Sequence, residues 1–307
     1  MRLPYVGLDA VAGHEVAVYG IPSDAGAPFR TGARFGPQAM RAQSIMLRPI
    51  NPYRGNLDVL GTLRVCDAGD SPVVPGYLPE TMLRIEAYTA ALLAAGCLPL
   101  GIGGDHSVTL PELRAVAARH GPLALVHFDA HTDTWDAYFD GLPYSAGTPF
   151  RRAAEEGIVD PARSIQIGMR GTLFKPTDIS QSIDLGYRVV TTDEALALGP
   201  ANLARAVAER VGDAPAFLTF DMDFVDPASA PGVQTPEAGG PSAREALAML
   251  RALHSIRLVG ADVVETNPLY DGPGQVTALL TATIAAEILA LIADTKRGNG
   301  KTPAGGG

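Results

Sequence analysis

The sequence predicts a single-domain α/β protein in which a mainly parallel sheet carries helices on both faces. Short apolar runs alternate with helical stretches along the 307-residue chain, which is the order of a parallel sheet with crossover helices. Several of these runs lack polar alternation, as strands covered on both faces do. No Pro/Gly/Ser-rich linker divides the chain, and its length suits one large domain.

The predicted elements follow one another along the chain as alternating strands and helices. Apolar β-rich runs predict strands at 16–20, 98–102, 123–128, 164–167, 188–190, 216–220 and 258–264. Helical spacing of apolar residues and a high content of Ala, Leu, Arg and Glu predict helices at 36–44, 78–95, 109–120, 202–211, 243–254 and 277–293. Together these elements predict one domain over residues 1–307, with tails expected at about 1–14 and 296–307.

The charge of the chain narrows the class of partner. The 24 Lys and Arg residues against 33 Asp and Glu residues give a formal net charge of −9. An acidic surface argues against nucleic acid and anionic membrane as partners, and it is compatible with a small cationic substrate. Solubility alone explains the same charge, so this observation favours a cationic substrate without requiring one.

Cysteine usage and apolar runs bear on the compartment. Cys66 and Cys97 have no metal-binding spacing and are too few for a disulfide framework. The N-terminus has no apolar segment of the kind found in signal peptides. No uninterrupted apolar run reaches about 18 residues. We therefore expect a cytoplasmic protein that does not span a membrane.

Six potential metal ligands follow three of the predicted strands. They occur in Gly-Gly-Asp-His-Ser (103–107), Phe-Asp-Ala-His-Thr-Asp (128–133) and Phe-Asp-Met-Asp (220–223). In a parallel sheet, ligands bind beyond the carboxyl ends of the strands, and all three motifs are expected there. The two imidazoles and four carboxylates are His106, Asp129, His131, Asp133, Asp221 and Asp223.

The number and spacing of these side chains favour two divalent ions. Spacing by two at a strand end puts alternate side chains on one side, where they converge. Unpaired carboxylates so close would repel one another, and a metal removes that cost. A structural zinc site prefers four ligands and usually thiolates. Two ions that share carboxylates can activate a water near neutral pH, which predicts metal-assisted hydrolysis.

Other polar residues near these motifs have either a functional or a structural interpretation. Glu265 ends the run 258–264 and is a candidate partner for a planar guanidinium, although a helix-capping role also explains a carboxylate there. Asp226 precedes a proline and is interpreted as a turn residue. The four remaining histidines are assigned to structure: His14, His120, His127 and His254. Of these, only His127 is near the motifs.

At these motifs the chain resembles the ureohydrolase superfamily, which includes arginases, agmatinases and guanidinobutyrases. The resemblance also includes Ser-Ala-Pro-Gly (229–232) and extends from 19–22 and 32–37 to 269–271 and the last helix. It implies a three-layer αβα sandwich with an eight-stranded parallel sheet. It further implies two divalent metal ions per chain, usually Mn²⁺ and in some members Ni²⁺. Members commonly form trimers or hexamers, so a homo- or hetero-oligomer is expected.

The resemblance also implies a role for each site residue. One metal would take His106, Asp129, Asp133 and Asp221, and the other Asp129, His131, Asp221 and Asp223. Glu265 would hold the guanidinium group, and water activated between the metals would attack its carbon. Asp133 would help move a proton to the departing amine. The products would be urea and an amine.

Three departures from the agmatinase-like pattern fall beside the expected substrate pocket. Ala146 stands where a histidine is usual, Gln234 where a glycine is usual, and Thr266-Asn267 where two small apolar residues are usual. With all six metal ligands kept, these changes predict an altered substrate: an N-alkylated guanidine, a biguanide such as metformin, or guanidine itself. The alternative is an ordinary agmatinase or guanidinobutyrase with a tolerated or engineered substitution. Besides Glu265, the candidate substrate-binding residues are Ala146, Gln234 and Asn267.

Two further functions from other classes stay open at this point. Ala146 is compatible with a non-catalytic subunit that binds metal and supports an active homologous partner. The same architecture also serves hydrolases of acyl-lysine or formimino groups. Glu265 and the complete second ligand set favour a guanidinium substrate over these.

Overall fold

The computed structural model describes residues 1–299. Its centre is an eight-stranded sheet in which every neighbouring pair is parallel. In chain order its strands are β1 (Val16–Gly20), β4 (Val65–Asp70), β5 (Leu98–Ile102), β6 (Ala124–Phe128), β7 (Ile165–Met169), β8 (Arg188–Thr191), β9 (Pro215–Asp221) and β10 (Arg257–Val264). Two short strands, β2 (Ile50–Asn51) and β3 (Leu57–Asp58), form a separate antiparallel ladder. The predicted α/β class with a parallel eight-stranded sheet is confirmed.

Nine α-helices connect these strands within the described residues. They are α1 (Gly36–Ser44), α2 (Val59–Thr62), α3 (Leu78–Ala94), α4 (Thr109–His120), α5 (Pro149–Glu155), α6 (Asp178–Asp184), α7 (Thr192–Val211), α8 (Ala243–Ala252) and α9 (Val276–Asn299). Helix α7 is interrupted at Gly199, which has a φ of 68° and is followed by Pro200. A proline cannot continue the hydrogen-bonding of the turn before it, which is why the sequence predicts only its second half.

The two faces of the sheet are covered by different helices. Along β1, Val16 and Val18 belong to one apolar cluster together with side chains of α1, α7, α8 and α9. Their neighbours Ala17 and Tyr19 belong to a cluster on the opposite face with side chains of α3. Successive residues of a strand point to opposite faces, so the sheet is buried on both sides. This accounts for the absence of polar alternation in its sequence.

The differences from the predicted elements have local causes. Strand β4 was missed because its sequence, Val-Cys-Asp-Ala-Gly-Asp, places polar residues on an edge strand. Residues 1–14, expected as a tail, contact the sheet: Tyr5 forms a bridge with Asp67, and Val11 is buried. The final helix extends to Asn299, beyond the expected start of the tail at 296, and the rest of that expected tail, 300–307, lies outside the described residues.

Helix α9 requires a correction to the membrane argument. Its length, and a mean hydropathy of 2.1 over an 18-residue stretch, would allow it to cross a membrane, contrary to the expectation that no run is long and apolar enough. However, 72% of that 18-residue stretch is buried inside the protein. Its side chains pack in the core with α1 and α8. We therefore interpret α9 as a core helix.

The order of the strands brings the predicted site together. Across the sheet the order is β4-β1-β5-β10-β9-β6-β7-β8. Strands β5, β10, β9 and β6 are thus consecutive in the middle of the sheet, although they are far apart in sequence. Residues at or just beyond their carboxyl ends include His106, Glu265, Asp221 and Asp129. All the predicted ligands therefore lie at the carboxyl ends of the central strands.

Candidate metal centre

One group of ligands surrounds a ring nitrogen of His106. Its Nδ1 lies 3.0 Å from Asp129 Oδ2, 2.9 Å from Asp133 Oδ2 and 3.1 Å from Asp221 Oδ2. This nitrogen is buried and has no hydrogen-bond partner of acceptable geometry. Ligand atoms about 2.1 Å from one ion and at right angles to one another lie about 3 Å apart. The spacing of these four atoms therefore fits a single divalent ion.

A second group lies beside the first and shares a carboxylate with it. His131 Nδ1 is 3.1 Å from Asp223 Oδ2 and 3.4 Å from Asp129 Oδ1. The two oxygens of Asp129 thus face the two groups separately, as a bridging carboxylate requires. Asp221 contacts the first group through one oxygen, while its other oxygen accepts a hydrogen bond from the backbone N–H of Asp223. The donor set of two imidazoles and four carboxylates suits two divalent ions.

The orientation of His106 is fixed by partners inside the sheet. Its Nε2 is 2.9 Å from the hydroxyl of Thr219. Thr219 on β9 is paired in register with Asp262 on β10. When Nε2–H donates to Thr219, Nδ1 keeps its lone pair free toward the three carboxylates. A metal-binding histidine commonly has such a partner on its other nitrogen, which fixes the tautomer.

His127, assigned to structure from the sequence, contacts the carboxylate that the two groups share. Its Nε2 lies 2.7 Å from Asp129 Oδ2. The amide of Gln166 donates to His127 Nδ1 over 3.0 Å and to the carbonyl of Thr132 over 2.6 Å, and its oxygen accepts from Ser182. This chain makes Nδ1 an acceptor and Nε2–H a donor to Asp129. His127 is therefore an outer partner of the site.

The burial of these groups shifts their pKa values strongly. Burial, and then the charges of Asp223 and Asp129, raise the pKa of Asp221 well above its ordinary value. Burial, and then Asp129, raise the pKa of Asp133 to about 7. Burial lowers the pKa of His106, but its three carboxylate neighbours outweigh that effect and raise it. The site thus concentrates negative charge that cations can balance.

Glu265 presents one free oxygen to this region. Its Oε1 accepts a hydrogen bond of 2.7 Å from the backbone N–H of His106, whereas its buried Oε2 has no partner among residues 1–299. Burial, and then Asp221, raise its pKa well above the ordinary value. Glu265 and Asp133 also have left-handed backbones, with φ of 65° and 50°. Such conformations are strained for residues other than glycine and are found often at functional sites.

A cavity of about 510 Å³ opens above these residues. Ligands Asp133, Asp221 and Asp223 line its base together with His131 and Glu265. Its sides combine polar residues, such as Arg30, Gln234 and Glu237, with aromatic and apolar ones, which include Phe29, Trp135, Tyr138, Met169, Phe174 and Ile179. Clefts of this size that combine apolar walls with convergent polar groups are typical of small-molecule sites.

The predicted substrate residues are not all in this cavity. Ala146 and Gln234 line it. Asn267 is not among the lining residues of the described chain. Its buried amide donates to the carbonyl of Arg30 over 2.6 Å, and its oxygen accepts from the backbone of Leu269. Asn267 therefore positions the loop of Arg30, and Arg30 itself lines the cavity.

Sequence reasoning missed several residues that contribute to the site. Thr219 precedes Asp221 by two positions on one strand, so alternation places both on the same side, and this signal was available. Trp135 lies two residues after Asp133, and its buried indole N–H has no partner. The loops that bring Arg30 and Phe174 to the cavity have no comparable sequence signal.

Comparison with known proteins identifies relatives along most of the chain. Residues 14–291 match the arginase family. The guanidinopropionase of Pseudomonas aeruginosa is 45% identical over 296 residues, which cover 96% of this chain and 91% of that protein. The mitochondrial agmatinase of Gallus gallus is 42% identical, with 96% and 86% covered. The structure of proclavaminate amidino hydrolase from Streptomyces clavuligerus has a TM-score of 0.90 at 42% identity and covers 96% of both chains.

Proposed function

The chain belongs to the arginase family and is a hydrolase of C–N bonds in guanidino compounds, and on this premise we propose an unusual substrate and a role for each site residue. The proposed substrate is an N-alkylated guanidine or a biguanide such as metformin. Hydrolysis of an N-alkylated guanidine releases urea and an amine, and hydrolysis of a biguanide at its terminal guanidine carbon releases urea and a guanidine. The observation that most strongly supports a guanidinium substrate is the free Oε2 of Glu265 beside the clustered metal ligands.

Two divalent ions are assigned to the six ligands. His106, Asp129, Asp133 and Asp221 would hold one, and Asp129, His131, Asp221 and Asp223 the other. The unpartnered Nδ1 of His106 and the shared Asp129 support this division. When bound, the ions lower the pKa of a water and offset the charge that develops at the guanidinium carbon. We propose Mn²⁺ from the family resemblance, with Ni²⁺ as the alternative, because both accept these ligands.

The protein's own groups orient the substrate and move a proton. Glu265 accepts N–H groups of the guanidinium through its free oxygen, while the His106 backbone fixes its other oxygen. A carboxylate recognises a planar guanidinium by such charge-assisted hydrogen bonds. Asp133, which lines the cavity beside Asp221 and Glu265, is assigned the transfer of a proton to the departing amine nitrogen.

The side of the cavity supports N-alkyl groups on the substrate. Ala146 is nearly buried and lines the cavity where a histidine is usual in related enzymes. Its methyl group leaves space and offers no proton donor. Trp135, Tyr138 and Phe174 contact one another edge to face on the neighbouring wall. Methyl groups on a guanidine or biguanide would remove apolar surface from water there.

A guanidino acid is a second candidate, and one residue favours it. Arg30 lines the cavity with its guanidinium over the rings of Phe29 and Tyr270, at 5.3 and 4.9 Å. It forms no ion pair within residues 1–299, whereas Arg170 is occupied by the backbone carbonyls of Asp223 and Phe224. Arg30 could therefore bind the carboxylate of guanidinopropionate or guanidinobutyrate.

Urea release by this chain alone tests the proposal. The protein would be loaded separately with Mn²⁺ and Ni²⁺ and offered agmatine, guanidinobutyrate, guanidinopropionate, arginine, guanidine, dimethylguanidine and metformin. We expect turnover of dimethylguanidine or metformin above that of agmatine. A preference for the two guanidino acids that is lost in Arg30→Ala would favour the second candidate instead.

The same assay addresses the non-catalytic alternative. A chain that binds about two ions yet releases no urea from any compound would point to a subunit that needs an active homologous partner. Mixing with such a partner would then restore turnover. We further propose a cytoplasmic trimer or hexamer, of one chain or two, whose mass in solution can be measured by light scattering.

A further inference from the structure

We propose that the side-chain amide of Gln234 binds a second polar unit attached directly to the guanidinium of the substrate. This unit would be an amidine or a carbamoyl group, each of which has an N–H donor and an acceptor close together. The inference rests on the proposed function and makes it more specific. It predicts that a substrate with a purely alkyl tail is the poorer one.

The first observation is that Gln234 is buried and lacks protein partners. The residue is 1% exposed, and its Oε1 has no hydrogen-bond partner. No described residue donates to or accepts from its side-chain amide. Leaving a buried amide unsatisfied is costly, and most buried polar groups have a partner. Because Gln234 lines the cavity, the missing partner is a molecule within it.

The second observation is that the segments of Gln234 and Glu265 lie side by side. The N–H of Asn267 donates to the carbonyl of Gly232 over 2.7 Å, and Val233 forms an isolated antiparallel bridge with Thr266. Gln234 and Glu265 are the chain neighbours of these two bridged residues. Both side chains line the same cavity, so one small molecule can reach both.

The third observation is the kind of polar atom left free around the cavity. Glu265 provides a carboxylate oxygen without a partner, and Trp135 provides an indole N–H without a partner. Gln234 adds both an acceptor and two donors in one amide. A guanidinium whose tail is only alkyl can donate to Glu265 and to the amide oxygen, but it has no acceptor for the N–H groups of the amide. A biguanide or a carbamoylguanidine offers complementary groups to both.

The chemistry of the surrounding residues agrees with this class of substrate. Arg170, another long polar side chain of the cavity, already donates to the carbonyls of Asp223, Phe224 and Glu237. Ala146 brings only a methyl group. Gln234 is a buried polar side chain whose hydrogen bonds are all available, whereas Arg30 and Glu237, which also line the cavity, are partly exposed to solvent. A ligand that fills the cavity without bonding to it would leave the amide unpaired.

The test compares matched ligands in matched variants. Biguanide and carbamoylguanidine would be compared with N-propylguanidine, which has a tail of similar size without polar atoms. Gln234→Leu removes the amide while keeping its approximate volume, and Gln234→Gly tests the smaller residue usual in relatives. Gln38→Leu, the same change at an exposed position of α1, is the control. Binding is read from the ligand-induced rise in melting temperature, in parallel with kcat/KM for urea release.

We expect Gln234→Leu to lower kcat/KM for biguanide and carbamoylguanidine about tenfold to a hundredfold, which is the range for an unpaired buried polar group. The kcat/KM for N-propylguanidine should change by no more than about twofold. The binding shift should fall for the same two ligands. Equal effects on all three ligands, or no effect, would overturn the inference. Selective loss of binding without urea release in any variant would support Gln234 while contradicting the proposed function.

Discussion

The base and the side of the cavity differ in which parts of the fold hold their side chains. The base consists of Glu265 and the six predicted ligands, which lie at the carboxyl ends of the four central strands. Here most carboxylate oxygens have partners from backbone N–H groups and imidazoles, while Glu265 Oε2 and His106 Nδ1 have none within the described residues. The side consists of loop residues: Trp135, Ala146, Phe174 and Gln234. Here the indole N–H and the amide oxygen have no partner in the described chain.

This difference separates the reaction from the choice of substrate. Groups at strand ends are held by the sheet and by outer partners such as Thr219 and His127, so their geometry suits one chemistry. Loop residues are held mainly by other loop residues, as in the contacts among Trp135, Tyr138 and Phe174, so we expect them to change without disturbing the ligands. The departures at Ala146 and Gln234 are both on the side, while the base retains every predicted ligand. Changes in the base should therefore abolish turnover, and changes on the side should redirect it.

Removing a ligand from the base should have the largest effect. His106→Ala removes the nitrogen around which three carboxylates are grouped. Several kcal/mol of transition-state stabilisation depend on bound metal, so we expect urea release to fall about a thousandfold or more. Metal content, measured by mass spectrometry of the purified protein, should fall by about one ion per chain. Full activity with one ion missing would contradict the assignment of the base.

An outer partner of the base should have a smaller effect on metal affinity. Thr219→Val removes the hydroxyl next to His106 Nε2 without a large change in volume. Loss of such partners commonly weakens metal binding about tenfold to a hundredfold. Thr219→Ser keeps the hydroxyl and is the matched control. If both variants bind metal with the same affinity in a competition titration, the hydroxyl does not orient His106.

Exchanging Ala146 should move substrate preference without loss of metal. Ala146→His fills space beside the cavity and restores a proton donor. We expect agmatine hydrolysis to rise about tenfold and alkylguanidine hydrolysis to fall by a similar factor, the scale of one or two methyl-sized contacts. The ratio of kcat/KM values measures this directly. A large rise for agmatine with no fall for alkylguanidines would show that the cavity is not built for alkyl groups.

The smallest expected effect concerns a buried acid behind the base. Glu112 accepts a hydrogen bond of 2.5 Å from Tyr19, and burial, followed by the charge of Asp262, raises its pKa well above 4.5. The unfolded chain therefore loses this proton first as pH rises. The stability that Glu112 contributes is complete below about pH 4.5 and falls as pH rises toward its folded pKa.

Glu112→Gln has no proton to release at this position. Relative to the parent, its free energy of unfolding should therefore increase as pH rises above 4.5, when chemical denaturation is compared at each pH. Glu245→Gln is a control of opposite sign. The backbone N–H and hydroxyl of Ser242 lower the pKa of Glu245, so that acid stabilises the fold at higher pH and loses its effect as pH falls. The same pH dependence in both variants would contradict this explanation.

The base could be predicted from the sequence because its information is local. Asp129, His131 and Asp133 alternate within five residues after an apolar run, and this pattern alone indicates convergent ligands. The adjacency of β5, β10, β9 and β6 could not be read from spacing, since it depends on strand order. Thr219 and His127 lie inside strands, where a polar residue has many possible explanations.

The side was less predictable because it is assembled from separate loops. Ala146 and Gln234 were found only as departures from a family pattern. Asn267, found in the same way, instead holds the backbone of Arg30. Trp135, Arg30 and Phe174 belong to loops whose paths depend on tertiary contacts. Periodicity has no information about where such residues end in space.

The most direct test exchanges both departures on the side while leaving the base intact. The double variant Ala146→His with Gln234→Gly would be compared with the parent for urea release from agmatine, guanidinobutyrate, dimethylguanidine and metformin, with metal content measured in each sample. We predict about two ions per chain in both proteins and a reversal of substrate preference. An unchanged preference, or loss of metal in the variant, would contradict the separation of reaction and substrate choice.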